Sequence, residues 1–308
     1  MPAPDAIDLV VGASGFLGRS LVPHLEAAGR RVLTIGRSDG DLSDWPTVEA
    51  LFRAKEPVAR IFHIVTRQRT GAVQYDIQGE LLAINARIHL NVLEAWRRHQ
   101  PQAKLISTGS SCTYPESSEP LVEAQFGLGP THPSVLGYGL AKQVLATGSA
   151  AYAAQYGLAF LHCVLATMFG PHDHKAPDRS HFVGALLERA AREKAAGATT
   201  FEVWGNPQTV REVLYVEDQI DAILAADGSF SNEILNCAAN MPVTVGAVAE
   251  AVIAALDWPV PLVSPPGSFQ GAAYKMLDST RFLSKTGWRP RFGLEAGLRR
   301  LIAAEYST

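Results

Sequence analysis

Short apolar blocks alternate along the chain with stretches whose apolar residues recur at helical spacing. Ile7 to Val11 is apolar except for Asp8 and predicts a buried strand. Phe16, Leu17, Leu21 and Leu25 then repeat every three or four residues until Gly29, which predicts a helix and its stop. Strands follow at Arg31–Gly36, Arg60–Val65, Lys104–Thr108 and Leu158–Leu165. Helices are predicted between them over Glu49–Lys55, Leu81–Arg98 and Tyr138–Tyr156. This alternation predicts an α/β protein with a Rossmann-type, doubly wound parallel sheet and right-handed crossovers.

The rhythm loosens after Phe169. Gly170 to Pro177 is a polar loop bounded by proline, and Pro259 to Gly271 is rich in proline and glycine. Ala190 to Ala198 reads as good helix rather than linker. We therefore expect a cofactor-binding part over residues 1–166 and a smaller C-terminal substrate lobe over 167–308. A segment near 212–240 is expected to return to the main sheet, because Glu233-Ile-Leu-Asn-Cys237 reads as one more strand.

Composition narrows the function classes. The chain has 308 residues, 47% of them hydrophobic and 19% charged, which is ordinary for a globular protein with a large core. A net charge of -3 gives no electrostatic case for nucleic acid. No apolar run reaches the ~18 residues of a membrane span, and Met1-Pro-Ala-Pro-Asp5 does not read as a signal peptide. Cys112, Cys163 and Cys237 are odd in number and far apart in sequence, so neither a disulfide framework nor a zinc pattern is expected. A reducing cytoplasm is the expected setting. His172-Asp173-His174 is a weak metal candidate, since its ligand types are consecutive in a loop with no distant partner, and no metal is expected.

Gly12-Ala-Ser14-Gly15-Phe16-Leu17-Gly18 follows a strand and opens a helix, the context that a dinucleotide turn requires. The first glycine permits the tight turn, the second lets backbone approach a pyrophosphate, and the third lets helix and sheet pack closely. Phosphates then sit at the positive end of the helix among free amides. The second strand ends in Ile35-Gly36-Arg37-Ser38, with no carboxylate to bind a ribose 2′-hydroxyl. Arg37 and Ser38 suit a 2′-phosphate, which favours NADP(H) over NAD(H). Asp41 and Leu42 follow where the adenine is expected.

Tyr138 and Lys142 are four residues apart in Tyr-Gly-Leu-Ala-Lys and share a helix face. An ammonium near a phenol is expected to make it more acidic, and the lysine can also bind the nicotinamide ribose. Ser107-Thr-Gly-Ser110-Ser-Cys112 follows a strand, where sheets of this kind present active residues, so a serine hydroxyl can share the tyrosine's carbonyl target.

With these residues the chain resembles the extended short-chain dehydrogenase/reductases, most closely those that act as 3,5-epimerase/4-reductases on a GDP-4-keto-6-deoxy sugar. The resemblance rests on Gly109-Ser-Ser-Cys-Thr-Tyr-Pro115, Tyr138-Gly-Leu-Ala-Lys142, Phe169-Gly-Pro-His-Asp173, Ser180-His181-Phe-Val, Val203-Trp-Gly205, Arg211-Glu-Val-Leu-Tyr-Val-Glu-Asp218 and Lys275-Met-Leu-Asp278. It implies a reductase triad of Ser110, Tyr138 and Lys142, and an epimerisation acid/base pair of Cys112 and His181. A 4-keto group acidifies its neighbouring C–H bonds, so a thiolate and an imidazole are suited to remove and return those protons. The resemblance also implies that Arg189, Trp204, Arg211 and Lys275 lie near the nucleotide diphosphate, and that a homodimer forms through helices such as Leu81–Arg98 and Tyr138–Tyr156. Read from the residues alone, Cys112 is better explained as a small core residue and His181 as a helix-start residue bonded to backbone.

The pattern breaks where the sugar is expected. Leu165-Ala-Thr167-Met168 replaces the family's usual Pro-Thr-Asn-Leu, so Thr167 stands where a substrate amide is usual. Val65-Thr-Arg-Gln-Arg69 and Thr131-His-Pro-Ser-Val-Leu-Gly-Tyr138 also depart from it. Two alternatives stay open at this point: an epimerase that uses bound NAD(P) without net reduction, and a non-catalytic member of the fold that senses the cofactor.

Overall fold

The structure is a computed structural model that describes residues 6–71, 73–265 and 274–306. Met1–Asp5 and the end of the proline- and glycine-rich stretch, residues 266–271, lie outside the described residues. The chain first forms five strands: β1 (Ile7–Val11), β2 (Arg31–Ile35), β3 (Arg60–His63), β4 (Lys104–Ser110) and β5 (Phe160–Leu165). At Ala166 it leaves this sheet for β6 (Thr167–Phe169), β7 (Phe201–Glu202) and β8 (Val210–Tyr215). It returns as β9 (Glu233–Cys237), then forms β10 (Pro242–Thr244) and β11 (Leu262–Val263). The main sheet runs β2-β1-β3-β4-β5-β9 with every pairing parallel. The expected class is therefore present, and β9 pairs with β5 in the main sheet.

Among the described residues ten α-helices accompany the strands: α1 (Phe16–Ala27), α2 (Trp45–Arg53), α3 (Val73–Asp76), α4 (Gln78–His99), α5 (Leu136–Tyr156), α6 (Phe182–Ala195), α7 (Val216–Asp227), α8 (Val245–Ala255), α9 (Thr280–Thr286) and α10 (Leu294–Glu305). One face of the main sheet is covered by α1, α7 and α9 through Leu21, Leu25, Ile220, Ile223 and Phe282. The other is covered by α2, α4 and α5 through Phe52, Val92, Trp96 and Leu145. Phe282 extends the part that returns to the main sheet, since it lies far outside the segment expected to do so. The helix expected at Glu49–Lys55 begins earlier, because Asp44 accepts the Thr47 amide at 3.0 Å and Pro46 occupies the first turn. The helix expected over Ala190–Ala198 is the end of α6, which stops at Ala195, and Gly197 follows at φ 73°.

The second part is built on a small sheet of order β10-β8-β6, with β7 paired to β11 beside it. Val183, Leu187, Val248, Val252 and Leu298 from α6, α8 and α10 form its core. Buried Glu212 accepts the amides of Ala239 and Met241, tying β8 to the segment after β9. No helix among the described residues is long and apolar enough to cross a membrane.

Candidate active site

The site is built along the edge where the parallel strands end. Gly12 follows β1 at φ 105°, and a Cβ there would meet Val65 N at 2.8 Å. A Cβ on Gly18 would lie 2.3 Å from Gly12 O, so the third glycine is required for α1 to start so close to the turn. Gly15 is different: a Cβ there meets only Gly12 O, at 3.3 Å, and the residue is exposed. Its exposed backbone leaves room for a ligand to approach. No side chain caps the first turn of α1, which leaves its amides free for an anion. The cradle fits a dinucleotide pyrophosphate. Phe16 and Leu17 are mostly buried behind it.

Ser14 ties this turn to the end of β2, its Oγ accepting the Arg37 amide at 3.1 Å. Arg37 and Ser38 are exposed, and the Arg37 side chain forms no ion pair among the described residues. It remains available to a phosphate. Asp41 is exposed but turned onto Ser43, accepting its amide at 2.9 Å and its hydroxyl at 2.8 Å, and these bonds lower its pKa. Leu42 is less available than expected: its side chain is in the core and its carbonyl accepts from Asn91 at 3.1 Å.

Ser110 ends β4, and Tyr138 and Lys142 lie on the first turns of α5. The Ser110 hydroxyl lies close enough to the Tyr138 phenol to favour its ionised form, so the structure brings serine and tyrosine together. Lys142 is 2% exposed and donates to Thr108 O at 2.8 Å. The expectation that Lys142 acidifies Tyr138 is not met. Burial pushes the phenol well up, the charge of Cys112 adds to this, and the nearby Ser110 hydroxyl offsets only part. Burial also brings the Lys142 amine down to about 7. Desolvation outweighs the short-range attraction that the spacing suggested. Tyr138 is thus held as a protonated phenol.

Cys112 is half-buried one turn beyond Ser110, whose Oγ accepts its amide at 3.3 Å. Lys275 Nζ donates to Cys112 Sγ at 3.3 Å. Burial pushes the thiol up, but the Lys275 charge, bonds from Ser110 and Lys275, and the Arg211 charge together bring it below the usual thiol range. Arg211, on β8, donates to Val210 O at 2.8 Å and carries a pKa lowered by burial. The structure therefore places Lys275 and Arg211 beside the thiol. Cys163 and Cys237 are fully buried, as expected of core cysteines, and neighbour each other across β5 and β9 despite their distance in sequence.

His181 precedes α6 and packs on Phe16, ring centroids 5.3 Å apart, which sets it beside the glycine turn. Its Nδ1 lies 2.8 Å from Asp173 Oδ1, and its amide donates to Asp173 Oδ2 at 2.9 Å. In sequence Asp173 is only one residue of a polar loop; in the structure it is the group that orients the imidazole. The loop is anchored to the segment after β3 by Thr70, whose amide donates to Asp178 O at 2.8 Å. That unusual segment is itself pinned by buried Asn85, which accepts from the Arg67 amide and donates to the Arg67 carbonyl.

Below Lys142 lies a group that the sequence motifs do not announce. His63, Ser107 and His162 stand side by side on β3, β4 and β5. His63 Nε2 lies 2.9 Å from His89 Nδ1, and His162 Nδ1 2.8 Å from Ser107 Oγ. All three histidines are fully buried, and burial followed by charge repulsion drives His63 and His162 down to about 3. The signal available in sequence is the appearance of His63 and His162 inside apolar strands.

Thr167 is half-buried on β6 opposite Val213. Arg189 is mostly buried between the rings of Phe201 and Trp204, 4.4 Å from each centroid, and donates to Glu202 O. Its guanidinium is thus engaged within the protein, whereas the Trp204 ring is 63% exposed.

An open α/β sheet with a glycine-turn cradle, a half-buried Ser110 beside buried Tyr138 and Lys142, and an adjoining thiol defines a dinucleotide-dependent enzyme of the extended short-chain dehydrogenase/reductase class. The NAD dependent epimerase/dehydratase family matches residues 9–238, and the chain belongs to that family. It is similar to "Probable GDP-L-fucose synthase 1" of Oryza sativa subsp. japonica, 29% identical over 294 residues, covering 94% of this chain and 88% of the relative. Among solved structures it resembles a GDP-L-fucose synthetase from Naegleria fowleri bound to NADP, with TM-score 0.88 and 21% identity over 99% of this chain and 94% of that one. It also resembles a GDP-6-OMe-4-keto-L-xylo-heptose reductase from C. jejuni, with TM-score 0.89 and 19% identity over 99% and 98% of the two chains.

Proposed function

We propose that this chain is an NADP(H)-dependent epimerase/reductase acting on a GDP-linked 4-keto sugar. One observation carries the reading: the Cys112 thiol, the Ser110 hydroxyl and the Tyr138 phenol are gathered at the end of β4 and the start of α5. An acid/base thiol beside a protonated phenol serves a ketone whose α-carbon loses a proton and whose oxygen gains one. The GDP-sugar names of the rice and Campylobacter relatives and the NADP in the Naegleria structure support the substrate and cofactor classes.

Gly12, Ser14, Gly15 and the first amides of α1 hold the pyrophosphate, and Arg37 with Ser38 holds a 2′-phosphate. When bound, the reduced cofactor supplies the hydride for C4. Tyr138, protonated at rest, gives its proton to the carbonyl oxygen, and Ser110 donates to the same atom. Cys112 takes the proton from carbon beside the ketone. His181, its Nδ1 fixed by Asp173, exchanges a proton through Nε2. Trp204 offers its exposed face as a wall for the nucleotide, while Arg211 and Lys275 add positive charge near the diphosphate end. Thr167 and the Asn85-pinned segment after β3 set a sugar preference away from the usual 6-deoxyhexose.

The division into a cofactor part over residues 1–166 and a substrate lobe over 167–308 is supported by the change of sheet at Ala166, with 212–240 and also α9 returning to the main sheet. A homodimer through α4 and α5 is supported by Leu90, Leu136, Leu140 and Tyr156, which expose apolar surface on those helices.

The reading is tested by incubating the protein with NADPH and a panel of GDP-, dTDP- and UDP-linked 4-keto sugars in deuterated water. It expects loss of NADPH absorbance and deuterium at C3, C5 or both, with a GDP-linked member preferred. Deuterium uptake without NADPH loss marks an epimerase alone; neither signal from any sugar overturns the reading.

A further inference from the structure

Lys275 is carried to Cys112 by a segment fastened on two sides. Its amide donates to Val210 O at 3.1 Å, at the start of β8. Two residues on, Leu277 bridges to Leu121, with the Leu121 amide donating to Met276 O at 2.9 Å and the Asp278 amide to Leu121 O at 2.9 Å. Lys275 thus has its backbone held in place, and its ammonium reaches Cys112 from there. Its hydrogen-bond partner is sulfur, at 3.3 Å.

We propose that Lys275 is a positioning residue for the first proton transfer, holding Cys112 as the thiolate that deprotonates the carbon beside the ketone. This rests on the epimerase/reductase reading above and assigns Lys275 a second duty beyond attracting a diphosphate. A thiolate is the basic form of cysteine, and an adjacent ammonium favours it over the thiol. The proton released on forming the ion pair leaves to solvent, and the proton later taken from carbon resides on sulfur; no electrons change hands. The pair also adds to the burial that keeps Tyr138 protonated, since a negative sulfur disfavours a second anion nearby.

Other charged or titratable groups face Cys112. Arg211 approaches from β8 and Tyr138 from α5, while Glu116 and His132, 3.6 Å apart, line the same pocket with Tyr114 and Tyr274. A direct test therefore compares variants that change only Lys275. The measurement is the pH dependence of Cys112 alkylation by iodoacetamide, followed by peptide mass spectrometry and needing no sugar. Cys163 and Cys237 are fully buried and serve as internal controls.

The wild type is expected to reach half-maximal alkylation at least about one pH unit below Lys275→Met, equivalent to a tenfold change in thiolate at a given low pH. Lys275→Gln, which keeps a polar donor without charge and guards against misfolding of the Met variant, should match Lys275→Met. Lys275→Arg should restore most of the shift. Equal midpoints in wild type and Lys275→Gln overturn the proposal, as does failure of Lys275→Arg to differ from Lys275→Gln. If the midpoints shift as expected but no sugar takes up deuterium, the thiolate assignment stands and the functional reading fails instead.

Discussion

Asp173 grips His181 twice, accepting its backbone amide at 2.9 Å through Oδ2 and facing its Nδ1 at 2.8 Å through Oδ1. The carboxylate thereby fixes Nδ1 as the donor and leaves Nε2 as the free nitrogen of the imidazole. A Cβ on Gly184 would lie 2.6 Å from Asp173 Oδ2, so the glycine in the first turn of α6 makes room for this grip.

Loosening the grip should therefore damage proton exchange without touching the cofactor. Asp173→Asn and Gly184→Ala are each expected to slow deuterium uptake by about tenfold or more, within the range of a general acid–base contribution. NADPH affinity should stay within about twofold of wild type. Unchanged exchange in both variants would remove Asp173 from the mechanism.

Arg37 is expected to set cofactor choice. A charge-assisted bond to a 2′-phosphate is worth ~1.5–3 kcal/mol, so Arg37→Ala should weaken NADPH binding about 10- to 100-fold and leave NADH nearly unaffected. Titration of intrinsic fluorescence with the two cofactors reads the difference. Equal losses for both would place Arg37 away from the 2′-phosphate.

Trp204 and Arg189 separate binding from stability. Arg189 is buried between two rings and its loss should lower the melting temperature. Trp204→Ala removes an exposed ring and one of the two ring contacts of Arg189, and should raise KM for the GDP-sugar about threefold or more with a smaller drop in melting temperature than the loss of Arg189. A Trp204→Ala enzyme with wild-type KM would take the ring out of the substrate wall.

The buried histidines predict acid sensitivity. His63 and His162 protonate near 6.5 when unfolded but only near about 3 when folded. Between those values the unfolded chain binds more protons, so stability is present above pH 6.5 and lost as pH falls toward 3. Thermal melts from pH 7 to pH 4 should show this loss, and His162→Gln should flatten the slope. An unchanged slope in His63→Gln and His162→Gln would mean other groups govern acid unfolding.

The main sheet is legible in the order of apolar residues, because its central strands β1, β3, β4 and β5 are buried on both faces and each covering helix on one. Gly12-x-x-Gly15-x-x-Gly18 and Tyr138-x-x-x-Lys142 are legible because their geometry is local. Lys275 and Cys112 each stand out in sequence, but 163 residues separate them and no periodicity reports such a contact. Asp173 and His181 are joined across a loop that reverses at His172, φ 73°, where spacing carries no information. The acidity of Tyr138 is not legible, because spacing shows the lysine but not how deeply both groups are buried. The small sheet has three-residue strands at β6 and β10, too short to leave a pattern.

If one site performs proton exchange through Cys112 and reduction through Tyr138, a single substitution should separate the two. Tyr138→Phe tests it most directly when incubated in deuterated water with NADPH and the preferred GDP-linked sugar. Deuterium should still enter beside the ketone, while NADPH oxidation falls about 100-fold or more. Oxidation of NADPH at the wild-type rate by this variant would contradict the account.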